Sequence, residues 1–179
     1  YSPTERPPLD DLHTYTAWDL AIGQGEANDW TVGITVGVDR QDNIWILQAL
    51  RFRKPSLEIV ESILDTYERW KPKVTGIERG QIEMAIGPLL DQRIRERGLF
   101  SFFYEKLRPG KRDKQTRARS IQGRMQQGMV YFPKGDDTIQ TGMNEMLRFP
   151  MGVHDDFVDS LAWIGLMLDM FVTPRTEKP

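Results

Sequence analysis

Hydrophobic and polar positions change period along this chain, dividing it into a β-rich first part and an alternating second part. Thr14 to Ile22 (TYTAWDLAI) is rich in aromatic and β-branched residues and runs into the polar, glycine-containing GQGEAND, the pattern of a strand entering a turn. Two more such runs follow, WTVGITVGV from Trp30 and NIWILQALRF from Asn43, separated by the polar Asp39-Arg40-Gln41-Asp42. Three strands joined by short turns predict an antiparallel meander. Beyond Pro55 the period lengthens: Leu57, Val60, Ile63, Leu64 and Tyr67 fall at helical spacing, with Ser56 as the expected N-cap. KVTGIE then reads as a short strand ending on Glu78, followed by a helix from about Gln81 to Arg97 that closes at Gly98. Leu99 to Tyr104 (LFSFFY) predicts a further strand, the basic stretch carrying Ile121 and Met125 predicts an amphipathic helix ending near Gly128, and MVYFP a short extended segment. Helices over Thr138 to Leu147 and Asp155 to Phe171 complete the pattern. The strand, helix, strand order introduces parallel pairing. An α/β domain is therefore expected, its mixed sheet made of three antiparallel strands followed by parallel ones and flanked by helices.

At 179 residues the chain can form one compact domain with a full core, expected over 14–172. The polar, proline-rich residues 1–13 read as a linker, and 173–179 as a short tail. Hydrophobic residues at 39% and charged ones at 28% exclude a largely disordered chain. The apolar stretch Leu161 to Val172 is broken by Asp169 and is too short to span a bilayer. Cysteine is absent and the only histidines are His13 and His154, so disulfides and thiolate sites are excluded. Any metal would rest on oxygen ligands, which favours Mg²⁺ or Mn²⁺.

The net charge of −2 gives no global sign of a polyanionic partner, but the charge is uneven. From Glu105 to Arg124 there are eight Lys or Arg against two acids. Such a patch suits phosphates, and the same pattern also describes a solvated basic helix face.

Three places carry acids where the pattern asks for apolar residues. Asp19 interrupts an otherwise uncharged strand, where a carboxylate must be paired, solvated at an edge or bound to a metal. Glu78 ends a strand at the end where α/β sheets collect their active sites, although an ion pair with Arg79 or a capping role would also account for it. Asp155, Asp156 and Asp159 crowd the first turn of the last helix, with Asp156 and Asp159 on one face. A helix N-terminus welcomes carboxylates, which explains one acid better than three. That helix is apolar almost all round, so it is expected to be packed on both sides, its acids meeting protein or metal. Convergence of these groups at one sheet edge would make a two-metal phosphodiesterase site.

In their order, WDLA around Asp19, Asp29-Trp30, NIWIL, GIERG around Glu78, KRDKQTRA, GMVYFP and HDDFVDSLA resemble the C-terminal nuclease domain of the large terminase subunit of tailed bacteriophages. That family is related to RNase H and to Holliday-junction resolvases. The resemblance implies an RNase H-like fold and an Mg²⁺- or Mn²⁺-dependent endonuclease, with two ions, that cuts concatemeric double-stranded viral DNA. By position it makes Asp19, Glu78 and Asp156 the catalytic and metal-binding acids and Asp159 a further ligand, with Asp155 and His154 as nearby support. Lys111, Arg112, Lys114, Arg117 and Arg119 fall where the family would meet the DNA backbone. Implied partners are the terminase ATPase domain, the portal protein and the small terminase subunit, in the cytoplasm of an infected bacterium. A phosphate-loop pattern for the ATPase does not occur in this sequence. A junction resolvase, another nuclease of the same fold and a non-catalytic DNA-binding packaging module are the competing expectations.

Overall fold

A computed structural model of the chain describes residues 1–21, 30–108, 114–152 and 155–171. Among these, the strands are β1 (His13–Asp19), β2 (Thr31–Val38), β3 (Ile44–Phe52), β4 (Val74–Glu78), β5 (Glu105–Leu107) and β6 (Val130–Tyr131). The α-helices are α1 (Ser56–Trp70), α2 (Gln81–Arg97), α3 (Lys114–Gln126), α4 (Asp137–Arg148) and α5 (Asp156–Phe171). They form one six-stranded sheet in the order β5-β4-β1-β2-β3-β6. β1, β2 and β3 pair antiparallel, while β4 joins β1, β5 joins β4 and β6 joins β3 in parallel. The meander and the parallel additions expected from the periodicity are both present.

Both faces of the sheet are covered, which is why β2 is buried at every position rather than at alternate ones. On one face α1 and α2 enclose Trp18, Leu20, Ile59, Ile63, Ile77 and Ile86. On the other, α5 lays Phe157, Leu161, Ile164 and Leu168 against Tyr15, Ala17, Val32 and Ile34. Twelve residues of α5 are buried, from Asp156 to Leu168, as its nearly unbroken apolar surface requires. Gly76 of β4 lets this helix come close: a Cβ there would stand 2.6 Å from both Leu107 Cδ1 and Met167 Sδ.

Two local expectations are corrected. Leu99 to Tyr104 is not a strand; the N–H of Phe102 donates to Leu99 O in a turn, and the strand forms at Glu105–Leu107. The aromatic run had suggested β structure, but Phe102 is buried under α1 and α2 while Phe100 and Phe103 point outward, a three-residue rather than a two-residue alternation. Ser56 is the first residue of α1 rather than its cap; Pro55 holds that position, and no side chain caps the helix there. α2, by contrast, has the expected bounds and ends on Gly98 at φ 67°, a left-handed conformation that costs glycine least.

Candidate active site

Register places the first two acids side by side. Trp18 of β1 lies beside Ile77 of β4 in the parallel pair, and both point toward α1 and α2. Side chains alternate along a strand, so Asp19 and Glu78, one step on, project toward α5. Asp19 is also paired with Val32, and Val32 with Arg51. A row Glu78, Asp19, Val32, Arg51 therefore crosses four strands at one end of the sheet, all on the α5 face.

α5 is fastened over this row by two hydrogen bonds. Ser160 Oγ donates to Val32 O at 3.1 Å, and the Trp163 indole N–H donates to Glu78 Oε2 at 3.0 Å. Asp156 lies one turn before Ser160 and Asp159 one turn before Trp163, so both acids extend the faces that are tied to the row. Each is almost fully buried, Asp156 at 8% and Asp159 at 5% exposure. The start of the helix is held from α4, where Glu145 Oε1 accepts the Phe157 N–H at 2.7 Å and Oε2 lies 3.2 Å from the Arg51 guanidinium. Glu145 thus links β3 to the acidic end of α5. Nothing in the periodicity pointed to Glu145, Ser160 or Trp163 as site residues, because their partners are distant in sequence.

On the opposite face of the sheet, where Ile77 and its register partner Lys106 lie, α2 is tied to β5. Glu83 is 2% exposed and accepts the Tyr104 hydroxyl at 2.7 Å and the Lys106 ammonium at 2.9 Å. Burial pushes its carboxyl upward, but the bonds from Tyr104 and Lys106 and the Lys106 and Arg79 charges outweigh this and hold it below the usual range. Burial, and then the Glu83 carboxylate, drive the Tyr104 hydroxyl well above its ordinary value.

The basic stretch is less open than its sequence suggests. Arg117, expected to meet DNA, is turned inward at 6% exposure, its Nη2 3.5 Å from Asp159 Oδ1 and its guanidinium 5.0 Å from the centre of the Trp163 ring. Lys106 is bonded to Glu83, and Arg124 pairs with Asp169 at 2.8 Å. Arg119 is exposed on α3, and Lys114 opens that helix. Asp155 immediately precedes α5, and its backbone carbonyl accepts the Asp159 N–H at 2.8 Å. Lys111, Arg112 and His154 lie outside the described residues.

The donors in this region are oxygen atoms, the kind that a hard divalent ion takes. Among the described residues, no group of three or more acids or histidines stands together so that it could hold a metal ion. The engagements already described show why the acids are spread: Trp163 holds an oxygen of Glu78 and Arg117 faces Asp159. Asp19 and Glu78 share one end and one face of the sheet, and Asp156 and Asp159 belong to the start of the helix packed on that face.

A mixed sheet with this strand order, three antiparallel strands extended by parallel ones and acids at one edge beneath a final helix, is an RNase H-like architecture. Residues 16–168 match the family model of the terminase RNase H-like domain, and the chain belongs to that family. It is a nuclease domain of terminase type. The large terminase nuclease of the thermophilic phage G20c has the same fold, with 17% identity, a TM-score of 0.58 and coverage of 86% of this chain and 81% of that one. A zinc-bound structure of the same phage protein gives 17% identity and a TM-score of 0.59, covering 86% and 80%. The yeast mitochondrial Holliday junction resolvase shares the fold at 12% identity and a TM-score of 0.53, covering 88% and 82%. Among curated proteins, none matches.

Proposed function

We propose that this domain is a divalent-metal-dependent endonuclease that cuts double-stranded DNA during viral genome packaging. The observation that carries the reading is the meeting of Asp19 and Glu78 on neighbouring parallel strands, on one face, beneath the acidic start of α5. Asp19, Glu78 and Asp156 would hold the ions, with Asp159 beside them and Asp155 as support. When bound, a pair of Mg²⁺ or Mn²⁺ ions supplies the positive charge that in-line hydrolysis of a phosphodiester needs. The zinc of the phage terminase nuclease is in keeping with a divalent site on this fold.

The chain's own residues set up that chemistry. Trp163 fixes one oxygen of Glu78 by donating its indole N–H. Glu145 and Ser160 keep the start of α5 from drifting off the sheet. Arg117 offsets part of the negative charge by its approach to Asp159, and it must give way if Asp159 is to serve an ion. The ATPase domain, the portal protein and the small terminase subunit are the partners this reading assigns, in the cytoplasm of an infected bacterium.

Cleavage of linear duplex DNA in Mg²⁺ and in Mn²⁺ tests the proposal, with a four-way junction as competitor. Wild-type protein should cut the linear duplex without preferring the junction, and Asp19→Asn or Asp156→Asn should lower the rate at least about 100-fold. Wild-type rates in both variants would overturn the assignment.

A further inference from the structure

The row of acids continues into a basic feature on its β3 side. β2 and β3 pair as far as Thr31 opposite Phe52, so the next step sets Trp30 opposite Arg53. Phe52 packs toward α1 and α2, whereas Trp30 packs against the core on the α5 face, and by alternation Arg53 shares that face with Arg51, Asp19 and Glu78. Arg51 and Arg53 both lie against the Trp30 ring, with guanidinium carbons 4.8 Å and 4.0 Å from its centre.

The two arginines differ in what neutralises them. Arg51 is committed to Glu145 and is only 10% exposed. Arg53 is half-buried, and among the described residues it has neither a carboxylate within ion-pair distance nor a hydrogen bond, while its Nε is buried without an acceptor. Its neighbour Lys54 takes the nearby acid Glu58 at 3.5 Å. A partly desolvated cation with no anion among the described residues is an unfavourable arrangement unless a ligand supplies the charge. The indole lies over the guanidinium and leaves its Nη groups for an acceptor, an arrangement that suits a phosphate oxygen pair.

We propose that Arg53, oriented by Trp30, binds a backbone phosphate of the DNA strand that runs across the carboxylate row. The inference rests on the nuclease reading and deepens it. Two strand spacings and two residues separate Arg53 from Asp19, on the order of 12 Å. Arg53 therefore positions the substrate and takes no part in the bond change. It also gives the β3 side of the row a cation, whereas Arg117 of α3 is turned inward onto Asp159.

The test is equilibrium binding of a short labelled DNA duplex to the intact chain without divalent ions, over a salt series. Arg53→Ala should weaken binding at low salt about threefold or more and reduce the slope of log Kd against log salt by about one, the loss of a single phosphate contact. Arg53→Lys should keep the slope and still bind less tightly, because the point charge survives and the planar fork does not. Lys54→Ala, which removes a cation already paired, should leave the slope unchanged. Unchanged affinity and slope in Arg53→Ala would overturn the proposal, as would failure of the wild-type chain to bind duplex at low salt. The nuclease reading fails separately: if wild-type protein does not cut yet Arg53→Ala shows the predicted binding loss, the phosphate site stands and the catalytic assignment falls.

Discussion

At the scale of single residues, the site depends on groups that are not acids of the expected cluster. Glu145 serves two partners at once, the Arg51 guanidinium and the Phe157 N–H. Removing it would leave a buried arginine uncompensated and the start of α5 untied. Glu145→Ala should lower unfolding free energy by about 3 kcal/mol in urea titrations, with cleavage falling further than the unfolded fraction explains. Trp163→Phe keeps an aromatic ring but leaves a small cavity and deletes the N–H to Glu78, and should cost about 2 kcal/mol of stability. Its cleavage rate in Mn²⁺ should fall while its circular dichroism stays that of wild type. Asp19 and Glu78 were legible in the sequence because a charge inside an apolar run is conspicuous. Glu145 was not: it stands in an amphipathic helix where an acid is ordinary, and only the folded chain brings it to Arg51. Arg117 shows the reverse error, since a cation in a basic stretch reads as surface whereas burial against Trp163 and Asp159 turns it inward.

At the scale of elements, the periodicity carried the meander, the helices and the parallel additions, because each of those segments buries a face that its residue pattern already marks. It failed at Leu99 to Tyr104, where aromatic content mimics a strand and the burial of Phe102 alone decides for a turn. The strand that does form, β5, is held by Glu83 through Tyr104 and Lys106. Because the folded Glu83 carboxyl titrates below its unfolded value, its contribution is complete above the ordinary carboxylate pKa of about 4.3 and is lost as pH falls through the folded value. The stability advantage of wild type over Glu83→Gln, read from urea midpoints, should shrink toward zero across that acid range and stay constant above it. The approach of α5 to β4 is likewise set by one residue. Gly76→Val places a side chain on Leu107 and Met167 and should destabilise by about 1–3 kcal/mol, the usual cost of overpacking.

For the whole molecule, the fold puts acids, their supports and Arg53 at one end of the sheet. The net charge of −2 hides this, and the basic stretch overstates it, because Lys106, Arg117 and Arg124 face acids of their own. The proposed function has the carboxylates drawn together by divalent cations. Crystals soaked in Mn²⁺ and examined by anomalous scattering test that requirement most directly. Manganese bound by Asp19 and Glu78, with an acid from the start of α5 completing the set and Arg117 displaced from Asp159, is the predicted result; manganese absent from Asp19 and Glu78 at saturating concentration would contradict it.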